Sequence, residues 1–172
     1  MVHKLTDDAF EVILNVVNDA AVVYKGKIPV DCWKTPYMPR DELQTEIDSG
    51  VQFYGITQDN TLVAVMGIQR VGDVTLIRHA YTLTRFQRKG LGEKLLNYLL
   101  TLAETKRILV GTWAAAPWAI RFYQKHGFKL VSTQEKDYLL HKYWNILERQ
   151  VETSVVLELE ETRLETNPDA EG

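Results

Sequence analysis

The sequence predicts a mixed α/β fold, with helices on the faces of one sheet. The first observation is the order of segments: after two N-terminal helices, strand-like and helix-like stretches follow as β-β-β-α-β-α-β-α-β. The second is length, because 172 residues suit a single domain that buries most of the surface its unfolded chain exposes. The third is composition, since 45% hydrophobic and 25% charged residues are ordinary for a soluble globular protein.

Two helices with an irregular loop between them are predicted in the N-terminal part. Thr6 is a candidate cap for the first helix, whose apolar residues recur at helical spacing as far as Tyr24. The loop at 27–39 holds three of the five prolines together with several aromatic residues. The second helix is predicted at 39–49, and Gly50 ends it.

The remaining segments alternate between strands and helices. Strands are predicted at 51–56, 62–69, 74–83, 108–112, 128–131 and 152–159, and helices at 91–103, 116–126 and 134–144. In mixed sheets, ligands bind at the carboxyl ends of strands where two neighbours part. That rule predicts a site between the strands at 74–83 and 108–112.

Composition also sets expectations for compartment and domain limits. Cys32 is the single cysteine, which excludes an intramolecular disulfide and fits a reducing compartment. No apolar run approaches the roughly 18 residues of a membrane span, and the first thirty residues lack a signal-peptide pattern, so a cytoplasmic protein is expected. The folded domain is predicted at 1–160, followed by an acidic, disordered tail at 161–172. A net charge of −3 gives no indication of nucleic-acid binding.

The segment Gln-Arg-Lys-Gly-Leu-Gly at 87–92 is the most informative stretch of the chain. Gly90 and Gly92 let the backbone turn tightly, and the predicted helix that follows presents unpaired N–H groups and a partial positive charge. Arg85, Arg88 and Lys89 add full positive charges beside it. These features suit a pyrophosphate; the alternative is a simple loop and helix cap with solvated basic residues.

A second segment makes the interpretation of the first one more specific. Residues 119–128 contain the pattern A-I-x-F-Y-x-K-x-G-F, which ends in Gly127 and Phe128 after Tyr123. The two segments, in this order and at this spacing, resemble the GNAT superfamily of acetyl-CoA-dependent N-acetyltransferases. The resemblance extends from about residue 51 to residue 131.

The resemblance implies a fold, a cofactor and a set of contacts. It implies a mostly antiparallel mixed sheet with helices on both faces and a V-shaped splay between the two central strands, where the pantetheine of acetyl-CoA lies like an added strand. The reaction would be direct attack of a primary amine on acetyl-CoA in a ternary complex. The residues that match or flank the family's cofactor site are Tyr81, Thr82, Leu83, Gln87, Arg88, Lys89, Gly90, Leu91, Gly92, Ala119 and Phe122.

Two side chains are candidates for proton transfer. Tyr123 matches the family's tyrosine and could protonate the departing thiolate, although a packed helix tyrosine is the alternative. His79 is the candidate base, because an imidazole suits proton abstraction near neutral pH, although a hydrogen-bonded sheet residue is the alternative. Many family members carry a carboxylate on this strand, and the strand at 74–83 has none. Strand alternation predicts His79, Tyr81 and Leu83 on one face and Arg78 on the other. Glu42 and Glu46 could serve instead of His79, and a backbone N–H near 81–83 could stabilise the thioester oxygen.

The acceptor is expected to be a small-molecule or peptide amine. Trp33, Tyr37 and Tyr54 could form an aromatic wall around it, or could equally be core residues. No His, Cys or Asp cluster has metal-ligand spacing. A homodimer is possible through pairing of the strand at 152–159.

A non-catalytic module that binds CoA or acyl-CoA is the alternative function. The missing strand carboxylate favours it, as does Ala116, which stands where the family often carries an Asn that contacts the cofactor.

Overall fold

Seven strands form a single sheet in the order β1-β2-β3-β4-β5-β7-β6. The computed structural model describes residues 1–160, so the predicted tail at 161–172 lies outside the described residues. The strands are β1 Val2–Lys4, β2 Gln52–Gln58, β3 Thr61–Val71, β4 Val74–Thr82, β5 Arg107–Trp113, β6 Lys129–Leu130 and β7 Ser154–Glu160. The helices are α1 Phe10–Ala20, α2 Arg40–Asp48, α3 Leu91–Leu102, α4 Pro117–Lys125, α5 Thr133–Tyr143 and α6 Glu148–Thr153. No helix in this part of the chain is long and apolar enough to cross a membrane.

Most predicted elements are present, and two short ones escaped the sequence analysis. β1 has three residues and is held by backbone pairing with β2, so it has no side-chain pattern to detect. α6 has six residues and buries only Val151, which is too short for helical periodicity. The predicted cap at Thr6 was wrong: a 3-10 turn precedes α1, and the Thr6 hydroxyl donates to the Asp8 carboxylate instead of accepting from a backbone N–H.

Helices cover both faces of the sheet, as predicted. Side chains of adjacent strand residues point to opposite faces. On β2, the ring of Tyr54 lies 5.6 Å from that of Tyr98 on α3. The ring of Phe53 stacks instead on His79, whose imidazole lies beside Glu46 of α2. α2 and α3 therefore pack on opposite faces.

The two central strands part halfway along their length. β4 and β5 run parallel, and they pair only from Val74–Arg107 to Ile77–Val110. β4 continues to Thr82 and β5 to Trp113 without further pairing between them. Every other pair in the sheet is antiparallel. The predicted splay in a mixed, mostly antiparallel sheet is confirmed.

A β-bulge interrupts β4 at the start of the splay. Gly67 of β3 pairs with Arg78, whereas Val65 pairs with Tyr81, so two steps along β3 match three along β4. The extra residue falls at His79, whose φ of +55° lies in the left-handed region. Because the bulge resets the alternation, Arg78 and Tyr81 share a face, and the prediction that they lie on opposite faces was wrong.

β7 lies inside the sheet. It pairs with β5 along its whole length and with β6 at Leu157 and Glu158. β5 takes one edge of β7, whereas the two residues of β6 cover only part of the other edge. The pairing across a dimer that the sequence suggested for this strand stays a prediction.

Candidate functional site

Two clefts meet where β4 and β5 part. The larger, about 570 Å³, lies between the end of β4, the start of α3 and α4, and is called here the α3 cleft. The smaller, about 170 Å³, is called the aromatic cleft, and its wall includes Tyr37, His79, Trp113 and Trp144. The residues common to both linings are Tyr24, Ala80, Tyr81, Ala119 and Tyr123.

The loop before α3 presents unpaired backbone N–H groups beside the α3 cleft. Arg88 and Gly90 both adopt left-handed conformations, with φ of +63° and +76°. The N–H of Lys94 donates to the Gly90 carbonyl and begins the helix, so the three N–H groups of residues 91–93 have no partner within the helix. A Cβ added at Gly90 would meet nothing within 4 Å, so the space above the loop is open.

Three positively charged side chains lie on or beside this loop. The charged groups of Arg85 and Lys89 each lie 5.2 Å from the centre of the Phe86 ring. Within residues 1–160, neither they nor Arg88 form an ion pair. Their charge is available to an anionic ligand.

The edge of β4 that faces the α3 cleft offers one free backbone donor. The N–H of Leu83 donates to the Val63 carbonyl at 2.8 Å. Backbone groups of adjacent residues point to opposite sides of an antiparallel strand, so those of Thr82 point toward the cleft. The Thr82 carbonyl accepts from Nε2 of Gln87 at 3.2 Å, which leaves its N–H for a ligand.

Two of the residues predicted to contact the cofactor do not place their side chains in the α3 cleft. Thr82, Gln87, Arg88, Gly92 and Phe122 line the α3 cleft, as do Tyr81 and Ala119. The side chains of Leu83 and Leu91 are buried in the core instead. Because the Leu83 N–H also bonds to β3, Leu83 has no donor for a ligand, whereas Leu91 keeps its helix-terminal N–H.

Tyr123 lies at the junction of the two clefts. Its ring packs edge-on against Phe122 and Phe128, at 5.1 and 5.5 Å between centres. Burial raises the pKa of the phenol, and no group among residues 1–160 hydrogen-bonds to it. Both interpretations of the sequence therefore have a basis: the ring is a core residue, and its hydroxyl keeps its proton beside the clefts.

A buried carboxylate lies beside His79. Nε2 of His79 is 3.5 Å from Oε2 of Glu46, and Nη1 of Arg78 is 2.7 Å from the same oxygen. The three side chains are only 12–16% exposed. Burial acts to raise the pKa of Glu46, but the contact with His79 and the charge of Arg78 outweigh it and hold the pKa below 4.5. Glu42 is not part of this cluster, because it pairs with Lys34 at 2.7 Å.

The aromatic residues at the clefts are not quite those predicted. Trp33 stacks on Tyr37 at 5.8 Å, and Tyr37 lies 5.6 Å from Tyr24. The indole N–H of Trp113 donates to the Tyr37 hydroxyl at 2.8 Å. Tyr54 does not join this cluster, because it lies on the opposite face of the sheet against α3. Periodicity assigned Tyr24 to a helix face, and nothing in the sequence pattern marked Trp113.

The loop at 27–39 is fixed over the aromatic cleft at several points. The backbone N–H of Met38 donates to Oδ1 of Asn18 at 2.8 Å, and Nδ2 of Asn18 donates to the Met38 carbonyl at 3.0 Å. Nε of Arg149 on α6 lies 2.7 Å from a carboxylate oxygen of Asp31. These contacts hold Tyr37 in place before any ligand binds.

Residues 11–142 match the family model described as an acetyltransferase (GNAT) domain. The chain belongs to the GNAT acetyltransferase family. No curated protein sequence matches it significantly.

Solved structures of GNAT proteins share this fold at low sequence identity. PaiA N-acetyltransferase from Thermoplasma acidophilum, in complex with coenzyme A, has a TM-score of 0.71 and 16% identity, over 93% of this chain and 98% of that one. A GNAT family acetyltransferase from Elizabethkingia anophelis with acetyl-CoA bound has a TM-score of 0.61 and 19% identity, over 93% and 97%. The ribosomal-protein-S18-alanine N-acetyltransferase from Escherichia coli has a TM-score of 0.64 and 15% identity, over 93% and 92%.

The departure from the GNAT pattern at Ala116 lies in the core. Ala116 is completely buried among Ala21, Tyr24 and Trp113, and it lines neither cleft. Its carbonyl accepts from the N–H of Ala119 and of Ile120 at the start of α4. The small side chain lets α4 begin against this aromatic cluster.

Proposed function

We propose that this GNAT protein transfers the acetyl group of acetyl-CoA to a primary amine by direct attack in a ternary complex. The observation that carries the proposal is the junction of the two clefts. Acyl donor and amine can enter from different sides and meet beside Tyr81 and Tyr123, where β4 and β5 part. Such a meeting point holds both reactants in one complex, which is what direct transfer requires.

The α3 cleft suits CoA along its whole length. The diphosphate lies against the concave loop and the helix terminus at 87–92, with the charges of Arg85, Arg88 and Lys89 around it. The pantetheine follows the unpaired edge of β4 and bonds to the Thr82 N–H. The relatives with CoA or acetyl-CoA bound support this assignment.

His79 and Glu46 supply the base. An amine with a lysine-like pKa needs about 4.6 kcal/mol to lose its proton at pH 7, at 1.36 kcal/mol per unit. His79 accepts that proton, and the Glu46 carboxylate at 3.5 Å orients the ring and stabilises the imidazolium. A carboxylate from α2 thus takes the place of the strand carboxylate that the sequence lacks.

The remaining steps transfer the acetyl group and return each proton. The amine nitrogen attacks the thioester carbon, the C–S bond breaks, and Tyr123 donates its proton to the departing sulfur. The second nitrogen proton then returns to the Tyr123 oxygen, while His79 releases the first to solvent. The donor to the thioester oxygen comes from the bulge, because the ladder register gives His79 and Ala80 no partner on β3. The sequence placed this donor near residues 81–83 instead, but the Leu83 N–H is already bonded to β3.

Release of free thiol from acetyl-CoA, followed with a panel of amines, tests the proposal. Amine-dependent release is expected. Tight CoA binding without release for any small amine, peptide or polyamine would favour the non-catalytic module. The placement of Glu46 beside His79 supports the enzyme over the module.

Tyr123→Phe tests the acid. The variant should lose about a hundredfold in kcat and keep its stability, because the phenol has no hydrogen-bond partner within residues 1–160. Tyr98→Phe, a matched change at an exposed tyrosine of α3, should leave turnover unaltered. Unchanged turnover of Tyr123→Phe at every pH would remove this residue from the mechanism.

His79→Asn tests the base while preserving the bulge. Asparagine tolerates the left-handed backbone of this position better than most residues. The variant should lose activity most at neutral pH and recover as the pH rises, because the free amine fraction then grows without a base. A pH profile parallel to that of the wild type would contradict the assignment.

A further inference from the structure

We propose that the acceptor is a small monoamine that carries one ring or one branched alkyl group, and that polyamines and multiply charged aminoglycosides are poor acceptors. This inference rests on the proposed function and names the substrate class for it. Three properties of the aromatic cleft carry it: volume, wall chemistry and charge.

The volume of the aromatic cleft admits one small group. It measures about 170 Å³. A protein cavity of about 150 Å³ binds one benzene molecule. The cleft is partly open to solvent, and the volume between its walls fits a single six-membered ring or an alkyl group of similar size, whereas a linked pair of sugar rings would extend beyond it.

Aromatic and aliphatic side chains form part of the wall of the cleft. Trp144 lies against the backbone of β5, with its indole 3.5 Å from where a Cβ of Gly111 would be. Trp113 and Tyr37 form the opposite side, held together by their hydrogen bond of 2.8 Å. Ile146 and Val110 complete a surface suited to a ring or a methyl-bearing chain.

The charges at the cleft accommodate one ammonium group. Arg78 and His79 are the ionisable lining groups besides tyrosines, and no carboxylate lines the cleft within the described residues. Glu46, behind His79, is already in contact with both of these side chains. A second ammonium on the acceptor would enter the cleft beside Arg78 without a carboxylate of its own, which is unfavourable.

Two carboxylates pair with Arg149, the chain neighbour of the cleft-lining Gln150, and they do not change this balance. Asp31 and Glu152 both pair with Arg149, at 2.7 and 3.2 Å. The acceptor subsite is therefore built for a single positive charge that is lost when the amine reacts.

Thiol release from acetyl-CoA with four acceptors tests the inference: phenethylamine, isobutylamine, spermidine and kanamycin. Phenethylamine and isobutylamine should exceed spermidine and kanamycin by about tenfold or more in kcat/KM, the ratio that one misplaced charge produces. A preference for spermidine or kanamycin would overturn the inference and leave the proposed function standing. Absence of release with every amine, despite CoA binding, would overturn both.

Gln150→Glu adds a separate test that does not depend on which monoamine is best. Gln150 lines the aromatic cleft but not the α3 cleft, and the change is isosteric. The added carboxylate should raise kcat/KM for putrescine relative to phenethylamine by about threefold or more and leave the KM for acetyl-CoA unchanged.

Gln124→Glu is the matched control. It makes the same charge change on the exposed side of α4, away from both clefts, and should leave the ratio of the two amines unaltered. An unaltered ratio in Gln150→Glu would contradict the inference that lack of a carboxylate excludes diamines.

Discussion

Replacing Gly90 with alanine isolates the backbone contribution to CoA binding. Gly90 has a φ of +76°, and a Cβ at this position would meet nothing within 4 Å. The substitution therefore creates no clash, and its only effect in the folded state is the strain of a left-handed alanine, about 1–2 kcal/mol. The side chains of Arg85, Arg88 and Lys89 are left untouched.

A thermodynamic cycle relates the effect of this strain on the unfolding free energy to its effect on CoA affinity. If the free loop keeps its conformation, the unfolding free energy falls by the whole strain and the affinity for CoA is unchanged. If the free loop relaxes, stability is preserved, and CoA must restore the strained conformation, which weakens binding up to about tenfold for 1.4 kcal/mol. The sum of the two losses should equal the strain in either case.

Gly92→Ala is the matched control for stability, because it makes the same chemical change two residues away, at a helical position. Gly92 lies in the first turn of α3, and its Cβ would meet the Phe122 ring at 3.5 Å, an ordinary contact. Both variants reduce the freedom of the unfolded chain equally, so their difference cancels that effect. Gly92→Ala should be neutral or more stable by up to about 1 kcal/mol.

Calorimetric titration with CoA and denaturant unfolding of the free protein provide the two quantities. For Gly90→Ala, the loss of stability relative to Gly92→Ala and the loss of affinity relative to the wild type should sum to about 1–2 kcal/mol. If Gly90→Ala matches Gly92→Ala in stability and the wild type in affinity, the left-handed backbone has no part in binding and the reasoning fails.

Three further predictions concern the rest of the site. Tyr37→Phe leaves the indole N–H of Trp113 without its acceptor and should lower the unfolding free energy by about 1 kcal/mol in a urea titration; an unchanged midpoint would mean that another group satisfies this N–H. Glu46 has a folded pKa below 4.5, so its stabilising contribution is present above that pH and is lost as the pH falls through the lowered pKa. The free energy of unfolding, measured from pH 6 to pH 2, should therefore depend less on pH in Glu46→Gln than in the wild type. Equal slopes of unfolding free energy against pH would argue against the contact with His79. Affinity for CoA should fall as NaCl rises from 0.05 to 0.5 M, since salt screens exposed charges, and Arg88→Ala should reduce that dependence; a salt-independent affinity would separate the basic residues from binding.

The sequence by itself determined most of the elements, their order and the position of the glycine loop before α3. Apolar periodicity located α3 and α4, and the glycines at 90 and 92 located the turn before α3, because these features depend on residues a few positions apart. The position of Tyr123 relative to that loop followed from the order of the two motifs. Local chemistry of this kind needs no knowledge of the register between distant strands.

Only the tertiary structure decided which side chains share the site. A single inserted residue at His79 reversed the alternation of side chains between the two faces of β4. No local sequence pattern predicts such a bulge. The pairing of His79 with Glu46 and of Trp113 with Tyr37 joins residues far apart in the chain, while Tyr54 was turned to the other face by its place on β2. Contacts of this kind depend on how helices and strands pack together, and that packing is set by the summed burial of the whole core.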